Sequence, residues 1–367
     1  MKSTKLMLSA FAAVLALVAC TKENTTPEGG NLKSVKLSIE NVSYQTKGPG
    51  YATNLENKDV KLNDIQIFFT DGTNIYLPKT VDGSVAKTVF TAEELATADL
   101  NFHFLPTSVD EVYALGNVET ISVKDNDPLS KLHSSLSIES QQNPDNLTLF
   151  AVSELKPLAT PAGDHSSHAT STKTYSATLQ LAPRVARFEI GKISCDFSAT
   201  PLFNSVEAVK LAFADYYMTS DLFTGAVSNA YNINTSSQET VFSYLAGMNA
   251  DWNCDVWSNS VVLTPSAESV DVNLAYNFFS PIVAGGSYPR FVMQVTTDNS
   301  EIAYIMTVKF KKSSDNSELA VTDFEPGCIY RITDFRFADT DLTHQERCVE
   351  ITVDVIEWSV VNVYPTF

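Results

Sequence analysis

The chain has 367 residues, 44% of them hydrophobic, and carries 25 Lys and Arg against 43 Asp and Glu, a formal net charge of −18. That balance excludes a nucleic-acid partner, since no basic surface is available to neutralise phosphates, and it disfavours a polybasic membrane-surface role. The hydrophobic content suffices for sizeable cores, and the length points to two domains.

The N-terminus reads as a secretory signal. Lys2 and Lys5 precede an apolar run that ends at Leu17-Val18-Ala19-Cys20. The run is too short to span a bilayer as a helix, which takes about 20 residues. Small residues followed at once by a cysteine form a lipobox, so residues 1–20 are expected to act as a lipoprotein signal with Cys20 acylated. A tether rich in Thr, Asn, Pro and Gly follows.

Strands then dominate. Val35, Leu37 and Ile39 alternate with Lys36, Ser38 and Glu40, the period-two signature of a half-buried strand. A turn-rich gap at Thr46-Lys47-Gly48-Pro49-Gly50 leads to a strand over residues 60–70, ended by Asp71-Gly72. Residues 91–98 form a helix pattern, with Thr91 as cap and Glu93 and Glu94 in the first turn. Residues 129–136 suggest a second helix. Short apolar runs at residues 112–115, 147–150 and 175–179 read as strands, and residues 156–173 as an exposed loop. In the second half, strands are expected at residues 185–193, 206–213, 261–263, 291–297, 303–310, 330–337 and 351–363. Many short strands between turn signals predict a mostly β fold of two antiparallel β-sandwich domains with a few short helices. The domain boundary falls near Pro183, and no internal repeat is evident.

Motifs that carry chemistry are scarce. Setting Cys20 aside, Cys195, Cys254, Cys328 and Cys348 allow two disulfides in three possible pairings, or serve as buried thiols. Their irregular spacing argues against zinc. Asp164-His165-Ser166-Ser167-His168 reads as a solvated loop rather than a ligand set. His103, His133 and His344 lie apart from any cluster with ligand spacing. The acidic turns Asp125-Asn126-Asp127 and Asp339-Thr340-Asp341 lack the Gly and distal Glu of a calcium loop. No G-x-S-x-G, Walker loop, G-x-G-x-x-G or H-E-x-x-H occurs. Trp252 and Trp257 could stack on sugars, although tryptophans of a sandwich are more often buried. The chain is therefore expected to be no enzyme and to need no cofactor or metal.

Several segments together resemble the fimbrillins of type V pili from Bacteroidales: the lipobox at Cys20, the strand at residues 35–44, the turn at Lys47, Val112-Tyr113-Ala114-Leu115-Gly116-Asn117, Pro183-Arg184-Val185-Ala186-Arg187-Phe188-Glu189-Ile190, and the closing Ile351-Thr352-Val353-Asp354-Val355-Ile356-Glu357-Trp358-Ser359-Val360. The resemblance implies transthyretin-like sandwiches and a precursor shipped to the outer membrane as a lipoprotein. It also implies cleavage in the loop after the first strand, then polymerisation into a cell-surface fimbrium that supports adhesion. The first strand (Val35, Leu37, Ile39) would cap its domain until cut away. A C-terminal donor strand (Ile351, Val353, Val355, Trp358, Val360) from another subunit would replace it. The implied partners are other fimbrillin subunits, a processing protease and, through the lipid, the outer membrane. One departure concerns the cut. The family's shaft precursors are cut after Arg, yet no Arg precedes Arg184, so Lys47–Gly48 is the expected site, with Lys58 second. The expected division is thus signal 1–20, tether and propeptide strand 21–47, N-terminal domain 48–182, C-terminal domain 183–350 and donor strand 351–367. An uncut chain would instead behave as an anchor subunit, and a lipid-anchored glycan-binding lipoprotein is the alternative of another class.

Overall fold

Alternating sequence becomes strand along most of the chain. The computed structural model describes residues 32–41, 60–158, 173–233, 238–281, 286, 288–344 and 346–357. In the first half the long strands are Leu32–Asn41 (β1), Asp64–Thr70 (β2), Asn101–Pro106 (β3), Glu111–Gly116 (β4), Leu149–Glu154 (β5) and Lys173–Pro183 (β6). They lie in the order β3–β1–β6–β5–β4–β2. In the second half they are Ala186–Asp196 (β7), Val206–Ala214 (β8), Ser269–Phe278 (β9), Arg290–Thr297 (β10), Ile302–Lys312 (β11), Cys328–Ile332 (β12) and Glu346–Glu357 (β13). Their order is β9–β7–β12–β13–β11–β10–β8.

The two orders are the same plan. Taken in chain order, β1 to β6 correspond one to one with β7 to β12, and β13 is an added strand wedged between β12 and β11. Strand directions agree as well. β1 runs parallel to β6 and antiparallel to β3, and β7 runs parallel to β12 and antiparallel to β9. The sandwiches are therefore not purely antiparallel, since β1/β6, β7/β12 and β11/β13 are parallel ladders. No sequence repeat betrays the duplication, because alternation of any apolar residues satisfies a strand.

Each sheet curls over a core of its own strands. In the second half Phe188 on β7 is fully buried, stacked on Phe278 at 4.8 Å and edge-on to Phe291 at 5.2 Å. Such pairs add about 0.5–1.5 kcal/mol beyond burial of their area. The opposite face of β7 is also covered. Glu189, 1% exposed, accepts from Arg187 Nε at 3.0 Å and from Arg331 Nη2 at 2.8 Å. The halves join at Arg184, whose guanidinium lies 3.6 Å above the Phe150 ring and donates from Nε to the Leu222 carbonyl. Burial pulls its pKa down to about 10. A small sheet bridges the halves further, as Ser135–Ser137 pairs with Tyr216–Asp221, which pairs with Val227–Tyr231.

Several local expectations change. The helix at 91–98 is a single turn, Ala92–Leu95 (α1), held by a capping box between Thr91 and Glu94. The second expected helix is a 3-10 turn, Leu129–Leu132, because Ser135–Ser137 is recruited as a strand by the second half. The longest helix among the described residues, Gln238–Ala246 (α2), lies outside the expected elements, although Val241 and Leu245 show the i, i+4 spacing and both are buried. The run at 330–337 divides into β12 and Phe335–Ala338, and the last strand starts earlier, at Glu346. Cys195, Cys254 and Cys348 are free thiols, which removes the two-disulfide alternative. Burial pushes the Cys195 thiol up to about 12 and Cys254 to about 11, so both are inert packing groups. Removing the carboxylate that two guanidiniums share should be costly: Glu189→Ala is expected to lose about 3–5 kcal/mol of stability in urea denaturation. A loss below about 1 kcal/mol, the range of exposed pairs, would contradict this reading.

Candidate functional site

The site is the place of β1 within its sheet. Val35 is fully buried and Leu37 is 4% exposed, whereas Lys36, Ser38 and Glu40 face outward. Ile39 packs half-buried against the same core. The three residues expected to face inward therefore do so together. β1 is not an edge strand. On one side it pairs in parallel with β6, from Lys33 opposite Lys173 to Asn41 opposite Leu181. On the other it pairs antiparallel with β3, from Leu32 opposite Pro106 to Lys36 opposite Asn101. The walls and floor of its slot include Phe102, Leu105, Ala177 and Leu179, all buried.

One end of the slot is irregular. Between Lys33–Leu105 and Val35–Phe102, β3 spends one residue more than β1. The extra residue is taken up at His103 and Phe104, with Phe104 at φ 58°, in the left-handed region that a bulge uses. The His103 backbone turns away from β1 and pairs with Lys79 instead, N to O at 2.8 Å and O from N at 2.9 Å. Its ring faces Ser34: Ser34 Oγ and His103 Nδ1 form a buried hydrogen bond of 3.3 Å. Ser34 lies on the outward face of β1, yet it is only 1% exposed, unlike its outward neighbours. Beside it, the Lys33 ammonium sits 4.4 Å from the centre of the Tyr175 ring. Sequence reasoning weighed His103 only as a metal ligand. Nothing in a lone His and a distant Ser marks a contact that exists only once β1 and β3 are paired.

The C-terminal residues are placed differently. β13 lies inside the second sheet, pairing in parallel with β11 through Val353 and antiparallel with β12 from Asp354 to Glu357. Ile351 and Val353 are buried in that half's own core. Val355 is 43% exposed, because the inward alternation breaks where β13 changes partner. Cys20, Lys47, Gly48, Trp358, Val360 and the Asp164–His168 run lie outside the described residues.

The other candidates resolve into structure. Asp127 accepts from Lys124 N and Lys131 Nζ, and Asp125 from Leu77 N. Asp339 is buried and accepts from Ser198 N and Leu202 N. These are turn-holding carboxylates, and no cluster of three or more His, Cys, Asp or Glu that could hold a metal occurs among the described residues. Trp252 and Trp257 are half-buried against the core, Trp252 edge-on to Tyr216 at 5.0 Å.

Solved structures share this fold. A candidate cell adhesion protein of Parabacteroides distasonis matches with a TM-score of 0.54 and 14% identity, over 92% of this chain and 99% of that one. One of Bacteroides eggerthii matches at 0.51 and 12%, over 92% and 98%. A fimbrilin of Porphyromonas gingivalis matches at 0.46 and 13%, over 91% and 99%. At these identities the likeness to the first two is one of fold. No protein-family model and no curated protein matches the chain.

If β1 is held by its inward side chains, the two faces of the strand should respond differently. Leu37→Ala should cost about 2–5 kcal/mol in chemical denaturation of the uncut chain. Lys36→Ala, on the exposed face, should stay within about 0.5 kcal/mol. Equal effects would show that β1 does not seal a core.

Proposed function

We propose that the chain is a fimbrillin, a structural subunit of a cell-surface fimbrium, exported as an outer-membrane lipoprotein precursor acylated at Cys20. The observation that carries this reading is that β1 fills a slot laddered on both sides and comes first among the described strands. A single cut in the segment between Asn41 and Val60 would detach a complete strand from the rest of the domain. Lys33 is buried and Lys36 lies within the ladders, so neither suits a protease. Lys47 and Lys58 are the basic residues of the connecting segment, and Lys47–Gly48 is the favoured bond.

Loss of β1 would expose an apolar trough and two rows of unpaired backbone groups. Such an opening is a template for strand addition. Each apolar side chain returned to it regains about 1.5–3 kcal/mol, and main-chain hydrogen bonds add to that. A replacement strand from another subunit would come from the C-terminal stretch containing Val353, Val355, Trp358 and Val360. Ile351 belongs to its own half's core and is better retained there. Donation from the second half of one subunit to the first half of the next does not close on itself, so it propagates a filament. The partners are other fimbrillin subunits and a processing protease. The role is adhesion and scaffolding, with no catalysis, cofactor or nucleic acid. The half-buried state of Trp252 and Trp257 weakens the glycan-binding alternative.

N-terminal sequencing of purified fibres should begin at Gly48. Fibres whose subunits still carry Cys20 and its lipid would contradict the proposal and favour an uncut anchor.

A further inference from the structure

We infer that the bulged end of the slot sets the register of the incoming strand, and that the segment it selects is Thr352–Val355 of a second copy of this chain. The inference rests on the strand-exchange reading and specifies its partner. The slot makes three demands. The strand must run parallel to β6, as β1 does. It must place apolar side chains where Val35 and Leu37 stand, both buried. Between His103 and the β6 ladder it must place a small hydroxyl-bearing side chain, because Ser34 there is 1% exposed and hydrogen-bonded to the imidazole. A large or charged group at that point would collide with the His103 ring or bury an uncompensated charge.

β1 meets these demands with Ser34-Val35-Lys36-Leu37. From Glu346 onward the same pattern recurs at Thr352-Val353-Asp354-Val355, with small hydroxyl, apolar, charged and apolar residues in turn. The register that aligns Ile351 with Val35 would bring Val355 rather than Glu357 to the half-buried place of Ile39, but it puts Glu350, a long carboxylate, in the closed spot of Ser34. The donor side permits the exchange. Val355 is already exposed, and Val353 would trade one buried position for another. The ladder from Glu346 to Ile351 with β11 can stay intact while Thr352 and Val353 leave Lys311 and Lys312 of β11 and residues 354–357 peel from β12. Asp354 would give up Thr333 and Ser313 and take the outward place of Lys36.

The register can be read directly by cross-linking. Ser34 is paired with Thr174 on β6, so residue 352 of the donor should come to lie beside Thr174 of the acceptor. Fibres would be assembled from the chain, expressed in full and processed, in a Cys348→Ser background with Thr174→Cys, combined with either Thr352→Cys or Glu350→Cys. They would then be treated with a short bifunctional thiol reagent. The inference expects a covalent ladder of subunits from the Thr352 pair and none from the Glu350 pair. A ladder from the Glu350 pair alone, or fibres that give no ladder from either, would overturn it while leaving strand exchange standing. Absence of fibres from the otherwise unaltered, processed chain would overturn the strand-exchange reading itself. Independently, Thr352→Leu should slow assembly about tenfold, the factor carried by a buried hydrogen bond, whereas Thr352→Ser should assemble normally. Thr352 is exposed in the single chain, so neither change should alter the monomer's melting temperature. Unimpaired assembly of Thr352→Leu would also overturn the inference.

Discussion

A strand in the interior of a sheet must find hydrogen-bond partners on both of its edges, and the rest of this molecule depends on how that rule is met at β1. The strand closes the first half by supplying backbone groups to β6 and β3 and two apolar side chains to the core. Any sheet has edges that solvent can satisfy. A gap within a sheet is different, because it leaves two facing rows of polar groups above an apolar floor, and neither row can close without a strand between them. The first half therefore depends on β1 being in place.

The second half shows the same plan completed in another way. β7 takes the position of β1, but described strands both precede and follow it in the chain, so one cut cannot release it. The added strand β13 lies between β12 and β11 and divides its pairing between them. Its first part is bound by the parallel ladder and the burial of Ile351, while Val355 beyond is exposed. On the strand-exchange proposal, one end of the molecule carries the strand to be released and the other the strand to be donated. The Arg184 junction and the bridging sheet hold the two ends in one body.

Much of this was legible in the alternation of residues. Val35, Leu37 and Ile39 declared the inward face of β1, and Thr91 with Glu94 declared a capped turn. Most of the long strands were visible in outline, because a half-buried strand needs little more than period two. What escaped was whatever depends on pairing at a distance. The duplicated topology left no repeat, since sheets accept many apolar residues at one position. The parallel ladders, the recruitment of Ser135–Ser137 and the burial of Ser34 against His103 arise only when remote segments meet. α2 was missed because its apolar spacing is short and its stability comes from packing on the second sheet around Val241 and Leu245.

The most direct test of the central claim follows the backbone of the slot itself. Amide hydrogen exchange at β6, over residues 177–181, and at Phe102 on β3 can be compared in the uncut chain, in the cut chain with β1 washed away, and in assembled fibres. The account predicts slow exchange in the uncut chain, loss of protection when β1 departs and full return of protection in the fibre. Protection that survives removal of β1, or that fails to return in fibres, would contradict it.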